Sequence, residues 1–242
     1  MNAKILPAGE SCLFVEFGDI VSRELNARVT ALKAALEAAP LPGVTELVPT
    51  YRSLAVNFDP LTVDLAALKA RLKDEAAALG ECEAQSGVTV RVPACFGGEY
   101  GPDLADVAAH CGLDEDDVVR RYCASPLYCY MNGFTPGFPY LGGMDESLAT
   151  PRLTSPRTAI PAGSVAIGGA QAGAYSLASP GGWRIIGRVP FPLYDAGRDP
   201  STVIRAGMNV RFYPVSRERF DEIARDERRG AYRFEYEGEC HG

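Results

Sequence analysis

Histidine is nearly absent from this chain. His110 and His241 are the only two in 242 residues, one within a helical pattern and one in the C-terminal tail. That scarcity argues against a Ser–His or Cys–His couple, which needs an imidazole beside its nucleophile. It argues equally against a structural zinc site, because only these two could join cysteine ligands. The seven cysteines (Cys12, Cys82, Cys95, Cys111, Cys123, Cys129, Cys240) are odd in number and contain no CxxC pair. Met1 to Pro7 carries no apolar core of signal-peptide length, so the thiols are expected to be reduced and the protein cytoplasmic. No run approaches the ~18 apolar residues of a membrane span. No GxxxxGK[ST] loop occurs, and Ala162-Gly163-Ser164-Val165-Ala166 lacks the second glycine of GxSxG. Basic excess is missing too: the formal net charge of −7 disfavours a nucleic-acid or anionic-membrane partner.

Glycine and proline are abundant, and they are concentrated. Residues 133–200 hold 12 of the 25 glycines and 9 of the 18 prolines. Proline removes a backbone donor and glycine favours the unfolded chain, so this window is not helical. Between the punctuation lie β-rich runs: Ser164 to Ile167, Gly173 to Leu177, Trp183 to Ile186 and Val189 to Tyr194. The pattern predicts a small barrel or sandwich with tight turns, in which glycines let backbone N–H groups approach a ligand or partner.

Residues 4 to about 80 read as a separate α/β unit. Ile5-Leu6 and Cys12 to Phe17 predict a hairpin, with Leu13, Val15 and Phe17 alternating against Cys12, Phe14 and Glu16. Val21, Leu25, Val29, Leu32 and Leu36 recur at helical spacing until Pro40 and Pro42 stop the helix. Val44 to Val48 and Leu54 to Phe58 form a second hairpin. Leu65, Leu68, Leu72, Ala76 and Leu79 mark a second helix. The order is ββαββα, or βαββα if the first hairpin is irregular, with both helices over one face of an antiparallel sheet. The polar stretch Glu81 to Gly87 divides two expected domains, 1–86 and 87–242. Val88 to Pro93 opens the second as a strand. Asp103 and Asp114 are then placed to cap two short helices, with Gly112 past the end of the first. A last helix spans roughly Ser216 to Arg228, with Phe220, Ile223 and Ala224 inward.

The paired short helices resemble a helix-turn-helix only superficially. The end that would meet DNA reads Asp114-Glu115-Asp116-Asp117, which repels phosphate, so a structural insert is expected. Any phosphate binding must use loop amides and arginines. The candidates are Gly168-Gly169-Ala170-Gln171, Ser179 to Gly182, Arg157, Arg184 and Arg188. Each has a plainer role available. Gly181-Gly182 would serve as a hairpin turn, Trp183 as a core anchor, and Gln171 as a loop brace. Phe134, Phe138 and Tyr140 either plug a barrel end or wall a ligand site. Asp145, Glu146 and Asp195 fit surface turns better than acid–base or Mg²⁺ roles, and the arginines and carboxylates after Arg211 fit a solvated helix face.

A family resemblance covers nearly the whole chain. It is carried by Val48-Pro49-Thr50-Tyr51-Arg52-Ser53, Phe96 to Leu104, Gly133 to Gly143, Pro156-Arg157, Ile160 to Val165 and Ser179 to Arg188. In fixed order these segments resemble the KipI family, also called allophanate hydrolase subunit 1 or the B subunit of 5-oxoprolinase. The resemblance implies an α+β fold: an N-terminal two-layer α/β sandwich followed by a cyclophilin-like β-barrel. It also implies one part of an ATP-dependent amidohydrolase that works as a hetero-oligomeric complex. A KipA-type partner (the C subunit of 5-oxoprolinase) would join it in phosphorylating 5-oxoproline or a related small amide. ATP with Mg²⁺ would be supplied at a site shared with that partner, and the A subunit would complete ring opening. The alternatives are a non-catalytic sensor histidine kinase inhibitor and a urea carboxylase- or allophanate hydrolase-associated subunit. Proline isomerisation is weaker, since a barrel does not carry its function with it.

Under this reading Arg188, Gln171 and Arg157 are the expected catalytic residues. Phe134, Pro136, Phe138, Gly169, Tyr175, Ser179, Gly181, Gly182 and Trp183 are the expected substrate- or nucleotide-binding residues, and no protein metal ligand is expected. The chain departs from the usual family pattern at three places. Tyr122-Cys123 stands where a His-Ser pair is usual, Ala172 follows Gln171 in place of Thr, and Val189 follows Arg188 in place of Thr. Each change removes a hydroxyl or imidazole and leaves the glycines, Trp183 and Arg188 intact, so altered hydrogen bonding on a preserved scaffold is expected.

Overall fold

Leu13, Val15 and Phe17 point to one side of the second strand and are sealed from solvent, as their alternation requires. In the computed structural model, which describes residues 3–80 and 87–238, they belong to the first of two compact units, Met1–Gln85 and Ser86–Gly242. The first unit runs β1 (Lys4–Pro7), β2 (Cys12–Glu16), α1 (Arg23–Ala38), β3 (Val44–Pro49), β4 (Ser53–Phe58) and α2 (Leu65–Ala78). Its sheet has the order β1-β2-β4-β3, antiparallel throughout. The helices bury Val29, Leu32, Leu36, Leu68 and Leu72 against the β2 and β4 side chains. Ser22 and Asp64 cap them by accepting from backbone N–H groups one turn on.

The second unit begins with β5 (Thr89–Phe96), α3 (Leu104–Cys111), α4 (Glu115–Ala124), β6 (Leu127–Asn132) and β7 (Pro139–Gly142). It continues through β8 (Arg157–Ile160), β9 (Ser164–Gly168), β10 (Gln171–Ala174), β11 (Ser179–Gly181) and β12 (Arg184–Arg188). It ends with β13 (Asn209–Pro214), α5 (Arg217–Arg228) and β14 (Glu235–Glu237). The order β12-β9-β10-β7-β6-β13-β5 closes on itself because β12 also pairs with β5, which makes a seven-stranded barrel. β5 and β13 run parallel, and β14 pairs with the first residues of β5 on the edge that β12 joins further along. β8 and β11 form a separate two-stranded ribbon.

Alternation sorts the barrel side chains. Val90, Val92, Cys129, Leu141, Val165, Ile167, Ala172, Ala174, Ile186, Val210 and Phe212 share the interior cluster. Leu104 and Val107 of α3 and Val118 and Tyr122 of α4 join the same cluster, so the helical pair is a structural insert as expected. Asp114 caps α4 through Asp117 N–H at 2.6 Å, and Gly112 ends α3 at φ +66°. Tyr122 is fully buried, with Phe96 and Phe212 against its ring, and its hydroxyl has no hydrogen-bond partner. The five described cysteines are free, and burial pushes the Cys123 thiol up to about 12. Among the described residues no helix is long and apolar enough to cross a membrane.

Three local expectations are corrected. Val189 to Tyr194 is irregular: Pro190 and Pro192 remove the donors a strand would need. The strand expected at Gly173 to Leu177 starts two residues earlier and ends at Ala174. Asp103 occupies the N-cap position of α3, but its side chain makes no capping bond. Its carboxylate, 5% exposed, instead accepts from Arg157 Nη1 and Nη2 at 2.9 and 2.7 Å and from the Ile185 N–H at 2.7 Å. The bidentate pair fastens β8 to the start of α3, and the Ile185 bond fastens both to β12.

Two stability measurements check this account. Asp103→Ala leaves Ile185 N–H and a guanidinium without their acceptor. A loss of about 2–4 kcal/mol in urea unfolding is expected, below the range for a fully buried pair because Arg157 is a third exposed. Unfolding within about 0.5 kcal/mol of the parent would contradict it. Tyr122→Phe removes an unpaired hydroxyl and is expected to be neutral or stabilising by up to about 1 kcal/mol. A clear loss would mean that the hydroxyl has a partner.

Candidate functional site

The outward face of β7, β9, β10 and β12 is where aromatic and cationic side chains meet. Gly168 and Gly173 face outward, and Trp183 lies on them. A Cβ on Gly168 would stand 2.5 Å from the indole, and one on Gly173 would stand 2.9 Å from its Cζ3. The close approach therefore requires glycine at both positions. Phe138 is the hub of the aromatic cluster. Its ring meets Trp183 at 5.6 Å, Tyr175 at 5.2 Å, Tyr140 at 5.0 Å and Phe134 at 5.8 Å, all edge to face. Ile160, Ala166 and Ile185 complete this cluster, with the β8–β11 ribbon supplying Ile160.

Phe134 differs from its neighbours. It is 65% exposed and is the one non-glycine residue at positive φ (+65°) among those described. The loop holding it is braced. Ser176 Oγ donates to Pro136 O at 2.6 Å and contacts the Thr135 hydroxyl at 3.2 Å. Phe138 N–H donates to Thr135 O at 3.1 Å. Gly137 turns at φ +74° against Tyr194 and Thr202. A strained, supported backbone that holds an aromatic ring in solvent is a feature of recognition loops.

Cations border the cluster. Arg152 Cζ lies 5.5 Å from the Trp183 ring, a cation–π contact, on a residue that is exposed. Arg184 donates to Asp106 Oδ2 at 3.1 Å and to Pro151 O at 3.3 Å. Burial pushes the Tyr175 phenol above its usual range, so it remains a neutral donor.

The structure brings together Phe134, Pro136, Phe138, Tyr175, Gly181, Trp183 and Arg157. Gly181 is not a hairpin turn: it pairs with Arg157 in the ribbon, and its missing Cβ makes room for the Tyr175 hydroxyl, 2.2 Å from where that Cβ would sit. Gly182 O accepts from Leu153 N–H at 2.6 Å. Gln171 stands opposite Gly168 at the start of β10, on the Trp183 side. Ser179 pairs with Ile160, and its buried Oγ has no partner. Gly169 turns at φ +68°, but its N–H donates to Thr150 O at 2.8 Å, so it is not available as a ligand donor. Arg157 is held by Asp103, which fixes its guanidinium plane. Arg188 is set apart: it ends β12 between Ser164 and Cys95, with its guanidinium over Tyr100. Arg152 was not foreseen, since a lone arginine after Pro151 carries no periodicity or motif. Asp145 caps a short 3-10 turn, Glu146–Leu148, by accepting from Ser147 N–H, as a surface role predicts. Two clefts, of about 420 and 330 Å³, open on the N-terminal unit. The first is lined by Leu36, Leu41, Val44 and Leu47 with Lys33, Glu37 and Glu46 at its rim, and the second by Leu6, Phe14, Val21 and Tyr51 with the ion-paired Glu16 and Arg52.

The departures from the usual family pattern fall elsewhere. Tyr122, Ala172 and Val189 are all buried in the interior cluster of the barrel. None lies on the Trp183 face.

Comparison with known proteins agrees with this architecture. The carboxyltransferase domain family, subdomain C and D, matches residues 3–204. The B subunit of 5-oxoprolinase from Escherichia coli O157:H7 is 40% identical over 216 residues, covering 88% of this chain and 96% of that protein. The crystal structure of TTHA0988 superposes with a TM-score of 0.75 at 36% identity over 85% of this chain, which spans 40% of that longer chain. The urea amidolyase of K. lactis shares the fold, with a TM-score of 0.82 at 20% identity over 98% of this chain and 16% of its own. The chain belongs to the family of 5-oxoprolinase B subunits, within the carboxyltransferase domain, subdomain C and D.

Proposed function

We propose that this chain is the B subunit of a 5-oxoprolinase-type complex and that it binds 5-oxoproline, or a similar small amide, on the barrel face around Trp183. The observation that carries this reading is the identity to a curated B subunit of 5-oxoprolinase along nearly the full length of both chains. The geometry suits such a ligand. Arg152 is exposed and has no carboxylate partner among the described residues, so it offers a positive charge to the carboxylate of 5-oxoproline. Gln171 stands on the same side of the barrel, and its side-chain amide is a group of the kind that pairs with a lactam. Tyr140 and Trp183 supply an apolar floor, and Phe134 a wall.

This face alone does not fit a magnesium triphosphate. The Gly169 amide is engaged with Thr150, Arg157 is engaged with Asp103, and the described residues contain no cluster of three metal-ligating side chains. In this reading the nucleotide and its Mg²⁺ occupy a site shared with a KipA-type C subunit. When bound there, ATP would supply the phosphoryl group that activates the amide oxygen. The part of this chain is to orient the amide, hold its carboxylate and exclude water from it. The A subunit would then complete opening to glutamate, in the cytoplasm.

Reconstitution with the A and C subunits, followed by ATP-dependent glutamate release, tests this. Arg152→Ala is expected to raise KM for 5-oxoproline roughly tenfold or more, the worth of one charge-assisted contact. Gln171→Ala is expected to lower kcat/KM in the same direction. Unchanged kinetics in both variants would remove the Trp183 face from the reaction, and a reconstituted complex without ATP-dependent turnover would reject the function.

A further inference from the structure

Among the described residues, Arg188 is the one half-buried arginine whose side chain makes no hydrogen bond or ion pair within the chain. Its Nε is shielded from solvent and has no hydrogen-bond partner, and no described residue forms an ion pair or hydrogen bond with the rest of its guanidinium. The other arginines with buried Nε atoms differ. Arg28 donates to Ala76 O at 3.4 Å, Arg91 pairs with Glu235 and Glu237, and Arg198 donates to three carbonyl oxygens. A buried N–H without an acceptor is costly and is rare unless something outside the chain supplies one.

Its surroundings hold the guanidinium in place. The stem passes over Gly163, which sits at φ +82°, where a Cβ would come within 3.3 Å of Arg188 Cγ. The head lies 5.5 Å from the Tyr100 ring, which stacks on Phe220 at 4.5 Å. Arg217 approaches the same ring at 5.9 Å, so two guanidinia share one aromatic platform. Three carboxylates stand nearby, on Glu99, Glu218 and Asp221. Glu99 is taken by Arg217 at 2.5 Å, Glu218 by the N-terminal turn of α5, and none pairs with Arg188. The guanidinium therefore lies over the Tyr100 ring with its shielded Nε lacking an acceptor.

We infer that Arg188, with Tyr100 as its platform and Arg217 beside it, is a binding site for an oxyanion, a carboxylate or phosphate group of a small ligand, separate from the Trp183 face. The planar fork of Arg188 offers Nε and one Nη to two oxygens of one anion, the geometry in which arginine binds both groups. Arg217 can leave Glu99 to join it, because both are more than half exposed and their pair is weak. The site needs no partner protein, so its failure and that of the proposed function are separable.

The test is nuclear magnetic resonance on the isolated ¹⁵N-labelled chain, following the Arg188 Nε–Hε signal, assigned by its loss in Arg188→Lys. Inorganic phosphate is expected to shift that signal saturably and to raise Tm. In Arg188→Met the phosphate-dependent rise should weaken roughly tenfold or more in concentration terms. Titrations with ATP, acetate and 5-oxoproline separate the sources. Response to phosphate and ATP alone assigns a phosphate group, and response to acetate and 5-oxoproline assigns a carboxylate. A signal unmoved by all four, or an Arg188→Met chain that keeps the parent's phosphate response, overturns the site. Should Arg188→Met fail to fold, the resonance of the parent chain still decides.

Discussion

The carboxylate of Asp103 sets the position of nearly everything on the outer face of the barrel. It sits at the junction of α3, β8 and β12, and its two oxygens take three donors from two of those elements. A buried carboxylate is tolerable only when it is paired and hydrogen-bonded in this way. Once it is, the ribbon of β8 and β11 has a fixed height above the barrel. That height decides how deeply Ile160 and Gly181 press on Tyr175, and through it where Phe138 and Trp183 lie. An ion pair thus does what hydrophobic packing alone does poorly. It ties down a short ribbon whose own pairing shifts register between Ser179 and Gly181.

The second constraint is subtractive. Trp183 rests where two side chains have been removed, at Gly168 and Gly173, and the Tyr175 hydroxyl rests where a third is missing, at Gly181. Three glycines, in strands or at a strand's end, lower intrinsic strand stability, and the edge-to-face contacts around Phe138 offset that loss. The interior of the barrel follows another logic. Tyr122, Ala172 and Val189 fill it beside aliphatic neighbours, so where this chain departs from its family's usual residues it alters interior filling and leaves the outward donors as they were. At one of these positions the Tyr122 hydroxyl lies inside the core without a partner.

Period and punctuation made the N-terminal unit legible. The two-residue alternation of Leu13, Val15 and Phe17, and the helical spacing through Val29, Leu32 and Leu36, each have one physical solution. The barrel was legible as a class and less so in detail. Val189 to Tyr194 has strand-like side chains but lacks the amides that pairing requires, and composition alone hides that conflict. Asp103 shows a deeper limit. An aspartate before a helix reads as a cap, and only the arrival of Arg157, distant in sequence, diverts it. Gly169 was open to the same error: its amide was expected as a loop donor to a ligand, but the acceptor for its N–H, Thr150 O, came from a separate segment. Local sequence states what a group can bond. Topology decides which bond it makes.

The arginines of the second unit illustrate how topology then sorts identical chemistry into different roles. Arg157 is fixed by a buried carboxylate and becomes a rigid frame. Arg184 shares itself between an exposed carboxylate and a carbonyl, and so covers one side of the cluster. Arg152 lies over the face of an indole, and Arg188 over that of a phenol. In a chain with net charge −7, carboxylates are plentiful enough to neutralise every guanidinium. Two positive charges that lean on aromatic rings and meet no carboxylate are therefore not a consequence of composition. Among the described residues Arg152 has no carboxylate partner, and the acids near Arg188 form no ion pair with it, which leaves the hydrogen-bonding capacity of both for an anion that arrives from outside.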